Sequence, residues 1–132
     1  MLTVEAEHLQ LVNNVIRAIA TRNREALEDC LTQDVVLHVP GTTLVSGTFK
    51  GREEVLEALG HFAQMGGPSL SIRLHDVLAN ERHGIVMYDV SAEREGKAIS
   101  YRHIDIYHFR DGRIRDVTGC PYDLNAFEEL YG

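Results

Sequence analysis

Two glycine turns, Glu95-Gly96 and Asp111-Gly112, divide the second half of the chain into long runs rich in β-branched and aromatic residues. Such pairs supply the positive φ that a two-residue hairpin needs. The spacing predicts strands over 69–79, 84–94, 98–110 and 113–120, with Asn80-Glu81-Arg82-His83-Gly84 joining the first two. Strands of about eleven residues exceed the usual five or six, so strong twist and curvature are expected.

The first half supplies helices for one face of this sheet. Leu9, Val12, Ile16 and Ile19 recur at helical spacing. Asn23 can cap a second short helix with Ala26, Leu27 and Leu31 inward, closed by Gln33-Asp34. Val35–Val39 reads as a short strand stopped by Pro40-Gly41, and a loop with Gly47 and Gly51 follows. A third helix opens with acidic residues at Glu53 and Glu54, carries Val55, Leu56, Leu59, Phe62, Ala63 and Met65, and ends at Gly66-Gly67-Pro68. Leu124–Tyr131 is a short amphipathic tail. Helices followed by a meander predict an α+β domain spanning residues 1–132: a strongly curved antiparallel sheet packed against three N-terminal helices and enclosing a pocket.

Hairpin register selects the residues that face this pocket. If Arg94 pairs with Lys97, then Ala92 faces Ile99, Val90 faces Tyr101, Tyr88 faces His103 and Val86 faces Asp105. The side holding Val86, Tyr88 and Val90 is the more apolar and should look inward, with Tyr101, His103, Asp105 and Tyr107 on it. Charge on an apolar face is costly unless it is paired or meets a water-filled cavity, so His103 and Asp105 mark a site. Tyr88, Tyr101, Tyr107, Val86 and Val90, with Phe62 and Met65 from the third helix, are the expected ligand-binding wall. Ile104 and Ile106 make the other face apolar as well, which predicts a homodimer through the outer sheet face. The last strand stays open between two registers, one turning Asp116 and Thr118 inward, the other Val117 and Gly119.

The 13 Lys and Arg against 20 Asp and Glu give a net charge of −7, and the charges are scattered. Phosphate recognition needs clustered cations, so nucleic acid and anionic membrane surfaces are not expected partners. No apolar run reaches the roughly 18 residues of a membrane span, and Met1–Glu7 shows no export signal, so a cytoplasmic location is expected. Cys30 and Cys120 lie far apart in sequence, outside any CxxC pair, and read as reduced thiols. Of seven histidines, His8, His75, His83 and His108 are expected at the surface, and His61 in packing or at the surface. A metal site would need His38 to complete His103 and Asp105, and neither a metal nor a cofactor is expected.

His38-Val39-Pro40-Gly41, the stretch Ser46–Glu53, and Arg110-Asp111-Gly112-Arg113-Ile114, in this order, resemble the NTF2-like, or SnoaL-like, family. The resemblance implies a cone of curved sheet and three helices around a deep pocket, commonly dimeric. It also implies activities such as ketosteroid isomerisation, polyketide cyclisation, dehydration or epoxide hydrolysis, or ligand binding without chemistry. His38 resembles the position of the isomerase's proton-shuttling aspartate, and Asp105 that of its hydrogen-bond-donating aspartate. Val15 stands where the isomerase has its helix-1 tyrosine, and Gly119 where the hydrolase and the SnoaL-type cyclases have a final-strand aspartate. The expected function is general acid–base isomerisation, cyclisation or dehydration of an apolar carbonyl compound, polyketide-like or terpenoid. In it His38 moves the proton, and Asp105 with His103 or Tyr88 steadies the enolate.

Overall fold

The computed structural model describes residues 2–132. The elements run α1 (Val4–Ala20), α2 (Arg24–Cys30), β1 (Leu31–Val39), β2 (Gly47–Lys50), α3 (Arg52–Gly66), β3 (Ser71–Ala79), β4 (His83–Arg94), β5 (Lys97–Arg110), β6 (Arg113–Pro121) and α4 (Leu124–Tyr131). The strands form one curved, unclosed six-stranded sheet in the order β2-β1-β6-β5-β4-β3. Its ladders are antiparallel except β1 with β6, which is parallel. Side-chain caps fix the helix starts: Thr3 accepts from the Ala6 amide, Asn23 from Ala26 and Asp123 from Ala126.

The β4–β5 hairpin adopts the expected register throughout, including Tyr88 opposite His103 and Val86 opposite Asp105. Glu95 and Gly96, and likewise Asp111 and Gly112, all take positive φ, as a two-residue turn on a right-twisted ladder demands. The open register of β6 is resolved by a bulge. Arg110 pairs with Arg113 and Phe109 with Ile114, after which the partners shift so that His108 meets Asp116, Tyr107 meets Val117 and Asp105 meets Gly119. The extra residue, Arg115, lets Ile114 and Val117 both bury inward, which a straight strand forbids.

Three expectations change. The segment after Pro40 is not only loop, because Gly47–Lys50 pairs with β1. The strand β1 begins at Leu31, four residues earlier than expected. The helix α1 is rotated: it buries His8, Val12, Val15 and Ala18, leaving Leu9 and Ile19 exposed. The cause is His8, which stacks on Phe109 with ring centroids 3.9 Å apart and hydrogen-bonds the Asn80 carbonyl at 2.9 Å. A histidine expected at the surface is therefore a packed strut between α1 and the β3–β4 turn. Gly84 permits the close approach, since a Cβ there would lie 2.8 Å from both Phe109 and Val12.

A fourth helix joins the three at the N-terminal side. Phe127, Leu130 and Tyr131 of α4 are buried in the same core as Val12, Val35, Val86 and Ile114. Among the described residues no helix is long and apolar enough to cross a membrane.

Candidate functional site

The inner face of β4 and β5 assembles the site in cross-strand rows. One row holds Leu74, Tyr88 and His103, and the next Val77, Val86, Asp105 and Gly119. The imidazole Nε2 of His103 lies 2.9 Å from Oδ1 of Asp105, with the two side chains 14% and 20% exposed. A carboxylate only accepts, so Nε2 carries the hydrogen and donates it. The other ring nitrogen, Nδ1, is buried with no hydrogen-bond partner. An unpartnered buried nitrogen costs free energy unless something uses it.

Three tyrosines surround this pair. Burial pushes the Tyr88 phenol well above its ordinary range, the Asp105 charge adds to the rise, and the Tyr107 hydroxyl opposes it. Burial also raises Tyr101 and Tyr107, and Asp105 contributes to both. All three hydroxyls therefore stay protonated and can donate hydrogen bonds at neutral pH. Gly119 gives the imidazole its room: a Cβ there would stand 3.2 Å from both Cε1 and Nε2 of His103. A side chain at 119 and this ring position compete for the same space.

The expected pocket floor is occupied by helix α4. Phe127 is fully buried, stacks on His103 at 6.5 Å between centroids, and meets Tyr101 edge-on at 6.0 Å. Phe62 meets Tyr131 edge-on at 5.3 Å. Met65, Tyr101 and Tyr88 are partly buried against the core, while Val86, Val90 and Tyr107 belong to it. Surface concavities lie elsewhere. A groove of about 650 Å³ runs along α1 between Leu2 and Arg17, and a crevice of about 330 Å³ lies between Thr32, Gln33, Arg110, Asp111 and Arg113.

His38 does not join His103 and Asp105. Along β1 the side chains of Val35, Leu37 and Val39 are buried, so His38 points to the opposite face and is exposed. Its partners there are Thr48, at 3.3 Å from Nδ1, and Thr118 across the parallel ladder. Only its main-chain carbonyl comes near Gly119. The structure thus brings His103 and Asp105 together and leaves His38 on the other face. Among the described residues no cluster of three or more His, Cys, Asp or Glu is arranged to hold a metal ion. Sequence reasoning missed Phe127 and Tyr131. The amphipathic spacing of 124–131 was the available signal, but nothing in it named the surface that the helix covers.

The comparisons agree with this architecture. A solved structure of Bal32a, from a soil-derived mobile gene cassette, superposes with a TM-score of 0.89 at 24% identity, covering 98% of this chain and 100% of that one. An NTF2-like protein of Burkholderia xenovorans gives 0.82 at 14% identity, covering 97% and 98%. An uncharacterised protein of Mycobacterium tuberculosis is 32% identical over 124 residues, 93% of this chain and 95% of its own length. The family model for the SnoaL-like domain matches residues 12–117, from the middle of α1 to the inward-facing Val117 of β6, and the chain therefore belongs to the SnoaL-like domain family.

Proposed function

We propose that this protein is a general acid–base enzyme that isomerises, cyclises or dehydrates a small, mostly apolar carbonyl compound with its own side chains. The observation behind this reading is the His103–Asp105 pair at 2.9 Å, whose free Nδ1 is buried and unpartnered. Asp105 orients the imidazole and stabilises its charged form, and Nδ1 takes a proton from the carbon next to the carbonyl. The developing enolate oxygen receives a hydrogen bond from Tyr88, whose hydroxyl burial keeps protonated. The imidazolium returns its proton to a different carbon in isomerisation, or to a departing hydroxyl in dehydration.

Proton exchange tests the reading directly. A panel of enolisable ketones is incubated with the protein in D2O, and loss of the α-proton signal is followed by NMR. His103→Ala should lower the exchange rate by roughly 10²–10⁴-fold, and Asp105→Asn should lower it as well. His38→Ala, on the opposite face, should leave it unchanged. Equal rates in wild type, His103→Ala and Asp105→Asn would sink the enzymatic reading.

A second reading, a ligand-binding module without chemistry, is favoured by Phe127, which lies over the imidazole. Ligand binding with no ketone exchanged by the wild type would select it. In either case we propose a homodimer through the outer face bearing Ile85, Met87, Ile104 and Ile106. An Ile106→Glu variant should sediment at half the wild-type mass.

A further inference from the structure

A base must be reached by its substrate, yet Nδ1 of His103 is buried and the fully buried ring of Phe127 stacks over the imidazole. The element above the ring has to move before a ketone can meet it. The helices differ in how they are fastened to the sheet. On α1, His8 hydrogen-bonds the Asn80 carbonyl at 2.9 Å. On α3, Arg52 donates to the Leu31 carbonyl, and the Met65 carbonyl accepts from Arg94, both at 2.9 Å. Among the described residues, α4 makes no hydrogen bond to the main chain of the sheet. Its polar ties to β5 are the Lys97–Glu129 ion pair at the surface and the contact between the Tyr101 and Tyr131 hydroxyls. The rest of its hold is apolar. Just before the helix, the Tyr122 amide donates to the Arg102 carbonyl at 2.8 Å, which pins the chain where it leaves the sheet. Moving α1 or α3 would leave a main-chain carbonyl without its partner, a cost that lifting α4 about this pivot avoids.

We propose that α4 is the gate of the site: it lifts about Tyr122, carries Phe127 off the imidazole and admits the substrate to Nδ1. The inference rests on the site reading above and adds the regulation of that site. With the closed form dominant, turnover scales with the fraction of molecules whose helix is lifted. Loosening α4 therefore raises the rate even though it destabilises the protein. A helix with a structural role alone has the opposite expectation, because loosening it would leave the rate unchanged or lower it.

Helix caps supply the test. Asp123 caps α4 by accepting from the Ala126 amide, and Asn23 caps α2 in the same way. Loss of such a cap should favour opening of its helix about fivefold. Asp123→Ala should therefore speed backbone amide exchange in Leu124–Tyr131. It should raise α-proton exchange of the most reactive ketone in the panel above, kept below saturation, by the same factor. Lys97→Glu, which sets like charges against each other at Glu129, should act in the same direction by a smaller factor. Asn23→Ala loosens a helix away from the site and should leave the ketone rate at its wild-type value. Asp123 and Lys97 are exposed, and circular dichroism verifies that both variants fold. Faster amide exchange in α4 with an unchanged or lower ketone rate would overturn the gate and leave the site reading standing. So would unchanged opening of α4 in both variants, since neither tie would then hold the helix. Failure of the wild type to exchange any ketone would overturn the site reading, and the gate with it.

Discussion

Replacing Phe127 with alanine tests how α4 and the site depend on each other. Phe127 is 0% exposed and touches Phe62, Tyr101, His103 and Tyr131. Truncating a fully buried phenylalanine costs about 3–5 kcal/mol, the lost transfer energy plus the cavity left behind. A domain of 132 residues has an unfolding entropy of about 0.28 kcal/mol/K at its midpoint, from about 2.1 cal/mol/K per residue. The expected fall in Tm is therefore about 11–18 °C. Calorimetry at neutral pH reads it, with Tyr122→Ala as the control, because Tyr122 is exposed and should shift the midpoint little. Phe127→Leu, which retains most of the apolar volume, should recover more than half of the loss. The same truncation removes the ring that stacks on His103, so labelling of that imidazole by diethyl pyrocarbonate should accelerate relative to exposed His38. A Tm fall below about 4 °C, with unchanged labelling of His103, would mean that α4 neither completes the core nor covers the imidazole, and the reasoning would fail.

Two further perturbations follow from the same geometry. The phenols of Tyr88, Tyr101, Tyr107 and Tyr131 are all raised, chiefly by burial. A raised group stabilises the fold fully below its unfolded pKa, and that contribution drains away as pH rises toward the folded value. Stability should therefore fall above about pH 10, by up to about 1.4 kcal/mol per pH unit for each phenol. The Cys30 and Cys120 thiols, also pushed up by burial, act in the same direction from about pH 8.5. Tyr107→Phe should make the Tm-against-pH curve shallower above pH 10, and an identical slope would contradict the assignment. Gly119→Ala should push the His103 ring away from Asp105 and lower stability by about 1–3 kcal/mol through overpacking. Wild-type protein should show a slow-exchanging imidazole N–H resonance from this pair, the variant should lack it, and its persistence in the variant would show that the ring has other room.

Local rules carried the reading as far as local rules reach. Glu95-Gly96 fixed a register by itself, and strand parity then placed Tyr88, His103 and Asp105 on one face without knowledge of the rest. The face of His38 depends instead on how β1 meets β6, a parallel pairing in which His38 meets Thr118 from the far end of the chain. No turn links them, and the apolar run Val35–Val39 does not say which alternate residues look inward. The rotation of α1 had the same origin, since a histidine at position 8 packs inside only because Phe109 and the Asn80 carbonyl meet it there. The bulge at Arg115 was unreadable for a related reason. Both registers of β6 offered apolar residues to the core, and the fold takes Ile114 from one and Val117 from the other.

The sheet carries two histidine–aspartate pairs, and they differ in what else faces the carboxylate. On the outer face, His108 Nδ1 lies 2.6 Å from Asp116, while Arg115 holds the other oxygen of that carboxylate at 3.1 Å. Arg115 and His108 thus share the two oxygens of the Asp116 carboxylate. On the inner face, His103 is the single basic group within ion-pair distance of Asp105 among the described residues. The Asp105 carboxylate shares its face with Val86, Tyr88 and Tyr107. Substituting Val86 with lysine, directly opposite Asp105, would imitate the outer arrangement. If the inner pair is the base, that ammonium should suppress α-proton exchange in a variant whose circular dichroism matches the wild type. Wild-type exchange in a folded Val86→Lys protein would show that the inner pair is not the base.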